Sequence, residues 1–164
     1  PGKDIPLLIG SNFSEWTHMK KNSEHKDMTP EQIQAFKKAY PERDEADAPF
    51  VDSYIRIAVL DIIMHKARQG GAEVYSYVYN YGEDPYHSSE LEAVFGREST
   101  GPGVSVCEAW TNFAKTGKPC AKGFPEWEPF TLEGGATLII DEQSRIAYWH
   151  DRELMELLDP DYTY

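Results

Sequence analysis

The chain has 164 residues, 40% of them hydrophobic and 13% aromatic, enough apolar material for one domain of ordinary size with a genuine core and no second domain. Its formal net charge of −12 sets it against a phosphate backbone or an anionic lipid surface, which excludes nucleic acid as an expected partner. No run approaches the ~18 apolar residues of a membrane span, so a membrane is not an expected partner either.

Pro6 to Ile9 is a short apolar run with Gly10 at its end, the pattern of a buried strand that turns sharply. Thr17 to Met28 is polar and reads as a solvated loop. Thr29-Pro30-Glu31-Gln32 then makes a capping box with proline at the first helical position, Ile33, Phe36 and Tyr40 fall on one face, and Pro41 ends the helix. Asp47 to Gln69 is apolar on most sides and predicts one long buried helix, terminated by Gly70-Gly71. Val74 to Tyr81 alternates tyrosine with Val, Ser and Asn, a period of two that predicts a strand. Strand, helices, strand is a βαβ crossover and implies parallel pairing with a right-handed connection.

Beyond Gly82 to Pro85, which stop that strand, Ser89 and Glu92 have the spacing of a second capping box, so a short helix is expected from about Ser89. Val106, Ala109, Trp110, Phe113 and Ala114 form the stripe of an amphipathic helix closed by Gly117 and Pro119. Ala136 to Ile140 and Arg145 to Trp149, joined by Asp141-Glu142-Gln143-Ser144, suggest a hairpin, and Asp151 is placed to cap a last helix bearing Leu154, Met155, Leu157 and Leu158. The fold class is therefore α/β: a partial, mostly parallel sheet with flanking helices and a C-terminal hairpin, in one domain over residues 1–164.

His87 is the most informative residue, because it lies on the loop between a strand's exit and a helix. An imidazole titrates near pH ~6.5 when unperturbed, so one held on such a loop passes protons at neutral pH if a carboxylate orients its far nitrogen. The residues around it, His87-x-x-Glu90-Leu91-x-x-Val94-Phe95-Gly96, resemble the catalytic-histidine motif of the type B carboxylesterases, the cholinesterase-like branch of the α/β-hydrolases, with Ala93 where that motif has an aromatic. Further segments follow in the family's order. Ile5 to Glu15 is similar to its P-x-[LM]-I-G-x-[NT]-x-x-E segment, Ala109 to Pro119 to its A-W-x-x-F-A-x-T-G-x-P helix end, and Trp127 to Asp141 to its terminal W-P-x-Y and A-T-x-x-[IF]-D pair. The likeness covers nearly the whole chain and is weakest between about Trp16 and Pro49.

The resemblance implies hydrolysis of a small-molecule carboxylic ester through an acyl-serine intermediate, without metal or organic cofactor. It makes His87 the catalytic base and Glu15 the acidic member of the triad, with Glu90 bracing the His87 loop through backbone N–H groups. Trp16 follows Glu15 where the family usually has glycine. The family's nucleophile, a serine in a G-x-S-x-G elbow, and its Gly-rich oxyanion loop have no counterpart here: Ser11, Ser14, Ser105 and the Gly101-Pro102-Gly103 turn do not fit that pattern. Since the triad order is serine, acid, histidine, the chain reads as the C-terminal part of such an enzyme, inert alone, with the missing N-terminal part of the same protein as its expected partner and self-association as the alternative. A non-catalytic cholinesterase-like adhesion or binding module, and a self-sufficient α/β binding domain, are the competing readings.

Glu24 and Asp27 are weaker choices for the acid. Glu15, His18 and His25 on a polar loop lack the fixed spacing of a metal site. His65 suits the C-terminal end of its helix, where a cation meets the dipole, and His150 the turn before the last helix. Cys107 reads as a buried small hydrophobe and Cys120 as a loop residue, with neither a metal nor a C-x-x-C spacing between them, and no disulfide follows from the sequence alone. The tyrosines at 75, 77, 79 and 81 are expected to pack in core and rim.

Overall fold

The computed structural model describes residues 2–16 and 27–162. Among these, β1 (Leu7–Asn12), β2 (Val74–Tyr79), β3 (Ala136–Ile140) and β4 (Arg145–Tyr148) form one sheet in the order β1-β2-β3-β4. β1 and β2 pair in parallel, as do β2 and β3, while β3 and β4 form the antiparallel hairpin. Alternation along the strands then sorts side chains to two covered faces. Val78 and Ile139 pack with Phe13, Phe36, Tyr40, Leu154 and Met155, bringing α1 (Pro30–Ala39) and α5 (Arg152–Leu158) to one face, and α2 (Tyr54–Arg68) lies over Val74 on that side through Val59, Ile63 and Met64. Tyr75, Tyr79, Leu138 and Ile140 point the other way, towards Trp127, the short α3 (Leu91–Val94) and α4 (Gly103–Thr116). The result is three layers, helix on sheet on helix.

Small residues decide how closely these layers meet. Gly10 pairs with Tyr77, and a Cβ on Gly10 would run into the Tyr77 ring, so glycine lets that ring lie against β1. On the opposite face Thr137 donates to Ser76 at 3.1 Å, satisfying two buried hydroxyls against each other. The capping box of α1 forms with both bonds, Gln32 N–H to Thr29 Oγ1 at 3.3 Å and Thr29 N–H to Gln32 Oε1 at 2.9 Å. Gly70, at φ +57°, follows α2 in the left-handed conformation.

Several local expectations differ from the structure. Asp47 to Gln69 is not one helix: a 3-10 segment over Glu45–Phe50 contains Pro49, an extended break follows, and α2 starts only at Tyr54, where Asp52 Oδ2 accepts the N–H groups of Ile55 and Arg56 at 3.0 Å each. Nor is α2 buried all round, since Tyr54 and Ile62 are exposed. Ser89 does not cap a helix; α3 begins at Leu91, after the left-handed Ser88 has turned the chain, and the Ser89 hydroxyl is buried with no hydrogen-bond partner among the described residues. Asp151 precedes α5 but gives it no side-chain cap, because its carboxylate is taken by Arg56 at 2.6 and 3.2 Å. Cys107 is half-buried rather than buried, and it and the exposed Cys120 are both free thiols. Of the tyrosine stripe, Tyr75 and Tyr79 are core and Tyr77 and Tyr81 half-buried. No helix among the described residues is long and apolar enough to cross a membrane.

Candidate active site

β1 and β2 run side by side and end together, so the loops leaving them start as neighbours at the carboxyl edge of the sheet, where open α/β sheets carry their binding sites. Backbone hydrogen bonds then zip the two loops: Phe13 N–H to Tyr79 O at 3.0 Å, Ser14 N–H to Pro85 O at 3.1 Å, and His87 N–H to Glu15 O at 2.6 Å. Residues 72 positions apart in sequence are thereby brought into contact, and His87 Nδ1 lies 2.7 Å from Glu15 Oε2. Ser88, at φ +64°, turns the chain immediately after the histidine. A serine in the left-handed region carries strain of order ~1 kcal/mol or more, which the surrounding hydrogen bonds must hold.

The two partners differ in exposure, and the difference matters chemically. The Glu15 side chain is 4% exposed and that of His87 49%. The carboxylate is held by a set of donors: Asn12 N–H reaches Oε1 at 2.7 Å, Asn12 Nδ2 is 3.5 Å from the same oxygen, and the imidazole takes Oε2. A carboxylate accepting from backbone and imidazole cannot swing, which favours the tautomer that keeps the ring proton on Nδ1. With Nδ1 as the donor to Glu15, Nε2 carries the lone pair, and it makes no hydrogen bond among the described residues.

Glu90 sits one layer out. Its Oε2 accepts from Asn12 Nδ2 at 2.8 Å, so its contact with the site runs through the Asn12 amide, where the sequence suggested backbone N–H groups of the histidine loop. Asn12 is the residue that sequence reasoning passed over: it is the amide that connects Glu15 and Glu90, and its signal was a polar side chain at the end of an apolar strand, three residues before Glu15. Tyr77 lies beneath, its hydroxyl pKa raised well above the ordinary phenol value by burial and then by the nearby charges of Glu90 and Glu15. Trp16 stacks on the imidazole, ring centroids 4.2 Å apart and planes 23° from parallel.

The other residues singled out are elsewhere. Asp27 is exposed on the segment ahead of α1, and Glu24, His18 and His25 lie outside the described residues. Among the described residues no cluster of three or more His, Cys, Asp or Glu side chains could hold a metal ion. His65 is exposed in the last turn of α2. The His150 side chain is only 6% exposed, and its pKa is lowered to about 4 by burial, with the Arg56 and Arg145 cations adding to the shift and Asp151 opposing it.

Residues 8–155 match the model of a family described as the carboxylesterase family. Among curated proteins, the bile salt-activated lipase of Rattus norvegicus is 28% identical over 106 residues, covering 50% of this chain and 17% of that protein. Among solved structures, an esterase from the anaerobe Clostridium hathewayi that can hydrolyse aliphatic aromatic polyesters superposes with a TM-score of 0.82 at 22% identity, over 96% of this chain and 38% of that one. A thermophilic PNB esterase gives 0.67 at 19% identity, over 94% and 38%. A carboxylesterase of Geobacillus stearothermophilus gives 0.60 at 22%, over 91% and 39%. These likenesses identify the sheet and its helices as part of an α/β-hydrolase fold, and the chain spans about 38% of the length of the first two structures.

Proposed function

Since the chain belongs to the carboxylesterase family, we propose that it is the C-terminal part of a serine carboxylesterase and supplies two of the three triad side chains, His87 as general base and Glu15 as its orienter. The observation that carries the reading is the 2.7 Å contact between a buried carboxylate and the Nδ1 of a half-exposed imidazole at the ends of adjacent parallel strands. The serine and the oxyanion donors come from a preceding segment of the same protein. An edge at β1 that no described strand covers, together with the exposed Tyr54 and Ile62, suits a sheet and helical layer continued by that segment.

In this reaction His87 Nε2 takes the serine proton as the serine oxygen bonds to the ester carbonyl carbon. The imidazolium that forms is stabilised by Glu15, and its proton passes to the leaving alcohol as the ester C–O bond breaks. Water repeats the sequence on the acyl-serine, giving the carboxylic acid and restoring the serine.

The test is hydrolysis of an activated aryl ester by the isolated chain and by the chain joined to its preceding segment. Turnover is expected only in the second, because a base and its orienter without nucleophile or oxyanion donors stabilise no tetrahedral intermediate. Turnover by the isolated chain that His87→Ala abolishes would show a nucleophile within these residues and overturn the reading. Alone, the chain is expected to self-associate or to bind the preceding segment added in trans.

A further inference from the structure

Resting on that reading, we infer that Trp16 is a positioning residue for His87: its indole fixes the tilt of the imidazole and so the direction in which Nε2 is presented. The contact with Glu15 pins one ring atom, and the backbone bond from His87 N–H to Glu15 O pins the main chain. Neither stops the ring from rocking about the line joining Nδ1 to Oε2, because a hydrogen bond tolerates a broad range of angles. That rocking carries Nε2, the atom that must meet the nucleophile, out of the ring's resting plane. The indole removes this freedom by lying nearly parallel to one imidazole face, with ring centroids 4.2 Å apart.

Two further features point the same way. Trp16 is 57% exposed, so its ring is not recruited to the core, yet it lies against the one functional ring beside it. It is also the residue next to Glu15, so one short segment leaving β1 delivers both the carboxylate that sets the tautomer and the platform that sets the plane. An aromatic pair is attractive in either protonation state of the imidazole, and more so when the ring is cationic, so the platform supports the base before and after it accepts the proton.

The experiment has two arms. In the 164-residue chain, the His87 ring-proton resonances are expected upfield of a free imidazole because of the indole ring current, and Trp16→Ala should move them downfield while leaving the thermal midpoint in place. In the protein with its preceding segment, Trp16→Ala should lower kcat by roughly 3- to 10-fold, the fold-change that corresponds to one aromatic pair. KM should change little, and Trp16→Phe should recover most of the loss. Unshifted ring protons, an unchanged kcat, a loss carried by KM, or an equal loss in the Phe variant would each overturn the inference. Full activity in His87→Ala would instead overturn the proposed function, so the two failures are told apart.

Discussion

Two histidines in this chain stand beside a carboxylate, and the environments of the two pairs could hardly differ more. His87 is half-exposed, its Nδ1 2.7 Å from Glu15, whose charge is otherwise met by an amide N–H and a side-chain amide. His150 is buried edge-on against Tyr40, its Nδ1 is 3.5 Å from Asp151, and neither ring nitrogen has a hydrogen-bond partner among the described residues. Asp151 is already committed to the Arg56 guanidinium at 2.6 and 3.2 Å, which with His150 holds its pKa down at about 2 despite burial. A carboxylate neutralised by a guanidinium has little left to offer a neighbouring imidazole. A His–carboxylate pair is suited to proton chemistry when the carboxylate has no cation of its own and the ring's second nitrogen reaches the outside.

The sharpest way to break this comparison is to remove the His87 side chain. In a protein that joins this chain to the preceding segment proposed above, His87→Ala should lower kcat for an activated aryl ester by roughly 10⁴-fold or more with the fold intact by circular dichroism. Glu15→Gln keeps the shape but loses the charge and the tautomer preference, and should cost roughly 10³- to 10⁴-fold in kcat. The corresponding change at the other pair should act on stability. Asp151→Ala removes the carboxylate that the buried Arg56 holds at 2.6 Å and should destabilise the chain by about 3–5 kcal/mol, read from urea midpoints.

Acid should also act through the structural pair. The folded pKa of His150 is lowered from 6.5 to about 4 by burial, with Arg56 and Arg145 nearby and Asp151 pulling the other way. Between those values the unfolded chain binds a proton that the folded chain does not, so this stability is complete above pH 6.5 and falls away as the pH drops towards 4, by roughly 3 kcal/mol in all. Asp151 adds to the loss from pH 3.8 downwards towards about 2. His150→Phe, which suits a site bordered by Tyr40, should flatten the first of these slopes in urea titrations run at a series of pH values.

What the sequence made legible was what depends on short spacings. The capping box at Thr29, the alternation through β2 and the stripe on α4 each follow from neighbours a few residues apart, and each formed, except that Ala114 at the end of the stripe is exposed. The start of α2 was misread because apolar content outweighed two local signals, Pro49 inside the run and Asp52 at the true helix start. Ser89 and Asp151 looked like caps by spacing alone. The first was displaced by the left-handed turn at Ser88, and the second was claimed by a residue 95 positions away. At the site, Glu15 and His87 were named from motif resemblance, but their contact depends on two loops zipping at the sheet edge. Asn12 shows its place three residues before Glu15 in the sequence, but its bond to Glu90, 78 positions away, and the stack of Trp16 on His87 depend on that same tertiary arrangement.

The proposed mechanism rests on Glu15 holding His87 in the tautomer that leaves Nε2 free, and long-range nitrogen–proton correlation NMR of the neutral His87 ring measures this directly. It predicts a proton on Nδ1, shifted far downfield by its bond to the carboxylate, with Nε2 unprotonated, and loss of that downfield proton in Glu15→Ala. A neutral ring protonated at Nε2 in the unmodified chain would contradict it.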